Sequence, residues 1–144
     1  MKPQNYENHA QYVPLFHFVL FGLIVATLIG SCVNLYQSIG DHQRLYSAAL
    51  LVVICVCMVF QFFFSRIFPM KVQDRAVRAE ENLRHFALTG KLLDSRLTMG
   101  QTIALRFAPD NEFVPLAAKA AEQNMSPDEI KKSIKNWRPD HHRA

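Results

Sequence analysis

Two long stretches with almost no charge dominate this sequence. The stretch 13–36 holds no Asp, Glu, Lys or Arg, and the stretch 45–68 holds only Arg66, near its end. A helix rises about 1.5 Å per residue and the hydrocarbon core of a bilayer is about 30 Å thick, so roughly 20 apolar residues can cross it. The sequence therefore predicts two transmembrane helices, 13–36 and 45–68.

The connection between the two stretches, residues 37–44, is short and contains a glycine followed by an aspartate, which favours a turn. Connections of this length join neighbouring antiparallel helices. The predicted fold is all-α, in three parts: an N-terminal segment 1–12, a transmembrane helical hairpin 13–68, and a bundle of short helices 69–144.

The positions of the basic residues indicate the orientation. The short loop holds one, Arg44, whereas fourteen of the 16 Lys and Arg residues lie at or beyond Arg66. Lys and Arg close to a span favour the cytoplasmic side of the membrane. We therefore expect both termini, and with them the segment 1–12 and the bundle 69–144, to lie in the cytoplasm.

Small residues recur every four positions on one side of the first stretch. They form a ladder that lets another helix approach closely, and its last member can hydrogen-bond across the contact: Gly22, Ala26, Gly30 and Asn34. The ladder either packs against the chain's own second span or docks on a foreign helix. A two-helix hairpin has enough surface for both.

Side chains that ligate metals are few in the two stretches. His17 is a candidate ligand for haem or a chlorophyll magnesium, although a membrane histidine more often bonds water or a carbonyl. No second histidine lies deep in either stretch, which disfavours a bis-histidine haem within the chain. The cysteines are interpreted as small apolar residues, since Cys55 and Cys57 point about 200° apart on a helix and Cys32 is isolated in sequence.

The sequence also lacks the patterns of several functional classes. Neither stretch holds a carboxylate or lysine of the kind on which proton relays and ion pathways usually depend. There is no Cys-x-x-Cys, His-Glu-x-x-His, Gly-x-Ser-x-Gly or glycine-rich phosphate loop. We therefore predict a protein that is not an enzyme, with no catalytic residue, no metal and no bound cofactor.

Beyond Pro69, an apolar stripe predicts a helix over 70–88. Its members are spaced by 4, 3, 4 and 3 residues: Val72, Ala76, Ala79, Leu83 and Phe86. Two pairs of opposite charge four residues apart support this helix: Asp74–Arg78 and Glu80–Arg84. Pro69 is expected to kink the second span or to begin the new helix. Since the stripe covers only two heptads, we interpret the helix first as part of a small bundle, with dimerisation and a position on the membrane surface as alternatives.

Local signals mark three further short helices. A capping box, Thr98–Gln101, begins a helix predicted over 99–108. The next helix, 110–124, has apolar residues on one side: Phe113, Leu116, Ala117 and Ala120. Ser126 at the cap, followed by proline, begins the last helix, which closes near Trp137. A module of about 70 residues buries little core and is marginal alone.

The charges beyond the second stretch are well mixed. From Arg66 onward there are 14 basic and 10 acidic residues, without the one-sided basic patch that nucleic-acid binding needs. Lys and Arg next to a span favour contact with anionic headgroups. The residues expected to contact the membrane surface or a partner are Arg66, Lys71, Arg75, Arg78 and Trp137.

Several motifs are spread along the chain: Gln4-Asn5-Tyr6-x-Asn8-His9, Pro14-Leu15-Phe16-His17-Phe18, Lys71-Val72-Gln73-Asp74-Arg75, Ala104-Leu105-Arg106-Phe107-Ala108, Ser126-Pro127 and Ile134-Lys135-Asn136-Trp137-Arg138-Pro139-Asp140. With these motifs the chain resembles a family of small bacterial two-span inner-membrane proteins of unknown function. The resemblance implies a bacterial origin and the same topology. It implies no activity and no site residues.

The expected function is that of a non-catalytic accessory subunit of a larger bacterial membrane complex, with lipids and integral membrane subunits as partners. A photosynthetic or respiratory complex is the expected host. This expectation is based on the complexes in which such small subunits occur, and no residue of this sequence indicates it. One alternative is a scaffold that self-associates through the ladder of Gly22. Another is a subunit that contacts a pigment or haem through His17.

Overall fold

The structure of the protein is a computed structural model that describes residues 4–8 and 12–140. The described residues form helices and no strand, which confirms the all-α prediction. The first helical segment is a π-helix, Leu15–Leu20, which leads directly into an α-helix. The α-helices are α1 (Phe21–Gln37), α2 (His42–Thr89), α3 (Met99–Leu105), α4 (Asp110–Gln123) and α5 (Pro127–Ser133).

The chain divides into two compact units. The first, called here the apolar unit, comprises residues 12–68. The second, called the polar unit, comprises the described residues of 1–11 and 69–144. Two helical stretches are long and apolar enough to cross a bilayer, Leu15–Gln37 and the beginning of α2.

Within the apolar unit, aromatic rings join the two long helices. The ring of Phe16 stacks on that of Phe62 with centroids 4.6 Å apart, and the ring of Phe21 lies 5.2 Å from the same partner. The buried residues of the unit are small or aliphatic: Ile24, Ser31, Ser38, Ala48 and Cys55. Most of the other apolar side chains in both helices are exposed.

The connection between α1 and α2 is shorter than predicted, with only residues 38–41 outside both helices. Gly40 adopts a left-handed φ of 99°, which a residue with a side chain rarely does. The carboxylate of Asp41 accepts a hydrogen bond from the backbone N–H of Gln43 at 3.0 Å. Asp41 thereby caps the start of α2.

Pro69 neither ends nor begins a helix, because α2 runs through it without interruption. A proline lacks the N–H group that would bond the carbonyl four residues earlier, so a single bond of the helical ladder is missing. The helix ends at Thr89 instead. There Gly90, with φ of 72°, donates its N–H to the carbonyl of Phe86 at 2.7 Å.

The core of the polar unit lies among α3, α4 and α5. It contains the predicted side chains of α4, together with Ile130 and Ile134, all of them buried. Phe107 and Phe113 are its largest fully buried side chains. The core therefore joins three short helices, none of which has enough apolar surface to be stable alone.

The ends of these helices follow the local signals. Thr98 and Ser126 each form a complete capping box with the residue three positions later. Asn124 ends α4 in the left-handed conformation, with φ of 48°. Two boundaries differ from prediction: α3 ends at Leu105 rather than 108, and α5 ends at Ser133, well before Trp137.

Candidate interaction surfaces

The small-residue ladder of α1 lies on an open face. All four residues are exposed: Gly22, Ala26, Gly30 and Asn34. A Cβ atom added at either glycine would meet nothing within 4 Å. At 100° per residue, the ladder points roughly 130° away from the buried Ile24 and Ser31. The ladder therefore does not pack against the chain's own second helix, contrary to one of the two interpretations. Docking on another helix stays a prediction.

His17 lies within the π-helical segment, a rare conformation that often occurs at functional sites. Its Nδ1 is 3.0 Å from the carbonyl oxygen of Val13, and its ring meets those of Tyr12 and Phe16 edge-on. The backbone N–H of Val13 lies 3.1 Å from the same Nδ1 and donates to it when the ring proton is on Nε2. In the other tautomer Nδ1 donates to the carbonyl of Val13, and Nε2 is left to bind a metal. The role of His17 as a pigment or haem ligand stays a prediction, which an absorption spectrum of the purified protein checks.

The cysteines are free thiols; Cys55 is buried, while Cys32 and Cys57 are exposed. Among the residues that the structure describes, no three His, Cys, Asp or Glu side chains are grouped so as to hold a metal ion. His9, part of the first motif, lies outside the described residues.

The helix α2 packs on the bundle, as its sequence was first interpreted, but the apolar stripe is not the side that faces it. Val72 is 69% exposed, Leu83 68% and Phe86 50%, and the two alanines between them are exposed as well. The same helix buries Val77 and Glu81 instead. We call the five exposed residues the outer stripe: Val72, Ala76, Ala79, Leu83 and Phe86.

The side of α2 that faces the bundle is charged, and its centre is Arg84. The guanidinium is an ion-pair partner of Glu81 at 3.0 Å and of Asp110 at 2.6 Å, and it donates to the carbonyl of Ala108 at 2.8 Å. Its carbon Cζ lies 4.3 Å from the centre of the Phe113 ring, a cation–π geometry. The expected pair of Arg84 with Glu80 is thus replaced by pairs with Glu81 and Asp110.

A second ion pair lies nearby. Arg106 Nε is 3.3 Å from a carboxylate oxygen of Asp140. The amide of Gln4 donates to the carbonyl of Asp140 at 3.4 Å and accepts from its N–H at 2.8 Å. The first and last motifs of the sequence therefore meet in the polar unit.

These pairs line two adjoining cavities of about 270 and 530 Å³, which share Glu80, Glu81 and Arg138 in their walls. We call them the arginine cleft. Sequence reasoning did not find the cleft, because its ion pairs join residues far apart in the chain. The nearest signal was the run of Arg138, Pro139 and Asp140 in the last motif.

Sequence comparison identifies the family to which the chain belongs. The sequence model of a family of unknown function, DUF6526, matches residues 1–144. The chain belongs to the DUF6526 family. No curated protein and no solved structure matches it. The expectation of a family of unknown function is confirmed, and the DUF6526 description adds no activity.

The remaining predicted contact residues of this DUF6526 chain fall into two groups. Lys71, Arg75 and Arg78 are exposed on α2, while Arg66 is half-buried. Trp137 packs inward, with its ring 4.9 Å from that of Phe107, so it contributes to the core of the polar unit. Membrane or partner contact by the basic residues stays a prediction.

The segment after α5 in the DUF6526 chain is held by one carboxylate. Glu112 accepts hydrogen bonds from the backbone N–H of Lys135 at 2.9 Å, from the N–H of Asn136 at 3.2 Å, and from the side-chain amide of Asn136 at 2.8 Å. The N–H of Lys135 is the main cause that holds the pKa of Glu112 below its ordinary value, and Asn136 adds to it. Ionised Glu112 therefore stabilises the fold.

We expect this stabilisation to be lost in acid. Because the folded pKa is depressed, the contribution is present above the unfolded pKa of about 4.3 and disappears as the pH falls through the folded value. Glu112→Gln should lower the melting temperature at pH 7, and its difference from the unaltered chain should shrink below about pH 4. Glu122→Gln, on an exposed residue of the same helix, is the control. A difference independent of pH would contradict the assignment.

Proposed function

We propose that this DUF6526 protein is a non-catalytic accessory subunit of a larger bacterial membrane complex. It crosses the inner membrane twice as a helical hairpin, with both termini in the cytoplasm. The apolar unit docks on a larger membrane subunit, and the polar unit stabilises the cytoplasmic side of the complex. A photosynthetic or respiratory complex is the proposed host class.

The membrane position is supported by length and exposure. Two helical stretches are long enough to cross a bilayer, and their apolar side chains are mostly exposed. In a soluble protein such surfaces would be buried against other elements. The loop between the two stretches holds one basic residue, Arg44, whereas many basic residues follow the second stretch. This difference supports an orientation with both termini in the cytoplasm.

The observation that carries the docking proposal is the open ladder of α1. Without side chains at Gly22 and Gly30, the backbone of a second helix can come close, and van der Waals packing is the main force between helices in lipid. Asn34, exposed at the end of the ladder, supplies a hydrogen bond across the contact. The ladder faces away from the buried side of its own helix, so it is free for a partner.

The test is gentle solubilisation of native membranes followed by sizing and affinity purification of a tagged chain. We expect the protein to migrate far above its 16.5 kDa monomer mass, together with defined membrane subunits. Gly22→Leu combined with Gly30→Leu should release it from those subunits. Cys32→Leu, on an exposed α1 position outside the ladder, should not. Migration only at the monomer mass would refute the proposal.

The second candidate is a self-associating scaffold, which the same open ladder supports. In that case tagged and untagged copies co-purify without other subunits, and the double leucine variant separates them. If the double variant leaves the tagged and untagged copies together, the ladder is not the contact that pairs them.

A further inference from the structure

The outer stripe of α2 is an apolar face that the rest of the polar unit leaves uncovered. At 100° per residue, its mean direction is roughly 160° from that of the buried Val77 and Glu81. The bundle thus packs on the opposite side of the helix and leaves the stripe accessible. Val72, Leu83 and Phe86 are each at least half exposed, although charged residues surround them in the sequence.

The spacing of the stripe is that of a coiled-coil seam, in which apolar residues at positions a and d repeat every seven residues. Ala76 and Leu83 occupy the a positions of successive heptads. The d positions follow the same interval: Val72, Ala79 and Phe86. The two alanines at the centre let a second helix approach closely.

The charges beside the stripe favour a second copy of this chain. In the same register Arg75 occupies a g position and Glu80 the following e position. In a parallel dimer the g residue of one helix faces the e residue five positions later on the other, so Arg75 meets Glu80 of the other copy, twice by symmetry. Neither residue makes an ion pair within the part of the chain that the structure describes. The charges on either side of the stripe are therefore complementary to those of a second copy of the same chain.

We propose that the outer stripe is the seam of a parallel two-fold dimer of this chain, sealed by Arg75 of each copy against Glu80 of the other. The parallel direction rests on the proposed function, since two copies inserted in one membrane with the same orientation run α2 in the same sense. The seam covers two heptads, which is short for an isolated coiled coil. Insertion in a shared membrane raises the effective concentration at which the two helices meet.

The first experiment locates the seam by cross-linking in membranes with a short thiol-specific reagent. Ala79→Cys, at a central d position, should give a product of twice the chain mass. Arg78→Cys, exposed at the neighbouring c position, should not. The unaltered chain, whose Cys32, Cys55 and Cys57 all lie in the apolar unit, sets the baseline. A product of Ala79→Cys with a different protein, or equal products from both variants, would overturn the proposal.

The second experiment tests the self-complementary charges in the Ala79→Cys chain. Arg75→Glu and Glu80→Arg, each alone, place like charges across the seam and should lower the dimer yield about fivefold. The two substitutions together restore opposite charges and should restore the yield. Recovery of the dimer yield in the double variant would distinguish the parallel dimer from docking on a foreign helix or on lipid, because neither of these gives a reason for rescue. Failure of the double variant to recover would exclude the parallel register.

The cross-link at Ala79→Cys does not require that a host complex exists. A dimer that forms without host subunits supports the seam while contradicting the accessory role. A host complex that contains one copy, with no cross-link at Ala79→Cys, contradicts the seam alone. Fluorescence of Trp137, which packs against the core, reports that each variant still folds.

Discussion

Replacing Arg84 by alanine is expected to lower the free energy of unfolding of the polar unit by about 3–5 kcal/mol. The side chains of Arg84 and Glu81 are 12% and 7% exposed, so the substitution leaves a buried carboxylate without its ion-pair partner. It also removes the hydrogen bond to Ala108 and the contact with the Phe113 ring. Breaking one side of a buried pair costs more than the pair itself contributes, because the remaining charge stays desolvated.

The measurement is denaturant unfolding of the full chain in detergent, followed by the fluorescence of Trp137, its only tryptophan. Arg96→Ala is the matched control. Its partner is Asp94 at 2.7 Å, but the arginine side chain is 63% exposed, and we expect a loss below about 1 kcal/mol. Arg84→Lys keeps the charge but loses the planar fork, and should be intermediate. Equal losses for Arg84→Ala and Arg96→Ala would contradict the buried network.

Helix ends in the polar unit could be predicted because their determinants are local. The capping boxes at Thr98 and Ser126 each involve residues three apart, and the left-handed stops at Gly90 and Asn124 depend on single residues. Such signals act before any tertiary contact forms. Pro69 differs from one of its two predicted roles, because α2 continues through it and no new helix begins there; the predicted kink stays a prediction.

Which side of α2 faces the bundle could not be predicted from periodicity. A helical stripe of apolar residues normally marks the buried face. Here Arg84 decides the orientation, since its partners Asp110 and Ala108 belong to a segment more than 20 residues away. Sequence spacing identifies ion pairs within one helix, but not a cluster that forms only when separate helices meet. The same limit applies to the ladder of α1, whose residues are clear in sequence but whose direction requires the structure.

The substitution Phe113→Ala tests the other half of the Arg84 network, and we expect it to cost about 3–5 kcal/mol. The ring is fully buried among α3, α4 and α5, and its removal opens a cavity beneath the Arg84 guanidinium. A unit this small has a total stability of a few kcal/mol, so this variant and Arg84→Ala are both expected to lie close to unfolding, and Arg84→Lys keeps the arginine measurement within range. Phe113→Leu leaves a smaller void and keeps the measurement within range. The control is Leu92→Ala, on a side chain that is 66% exposed, with a loss below about 1 kcal/mol.

A double-mutant cycle then separates the contact between Arg84 and the ring from the burial of the ring. Because the two side chains touch, the losses of Arg84→Lys and Phe113→Leu, the milder variants at both positions, should fail to add by about 0.5–3 kcal/mol. Arg96→Ala combined with Phe113→Leu should add within about 0.5 kcal/mol, since Arg96 is paired with Asp94 instead. If both cycles are additive, the guanidinium and the ring stabilise the polar unit separately.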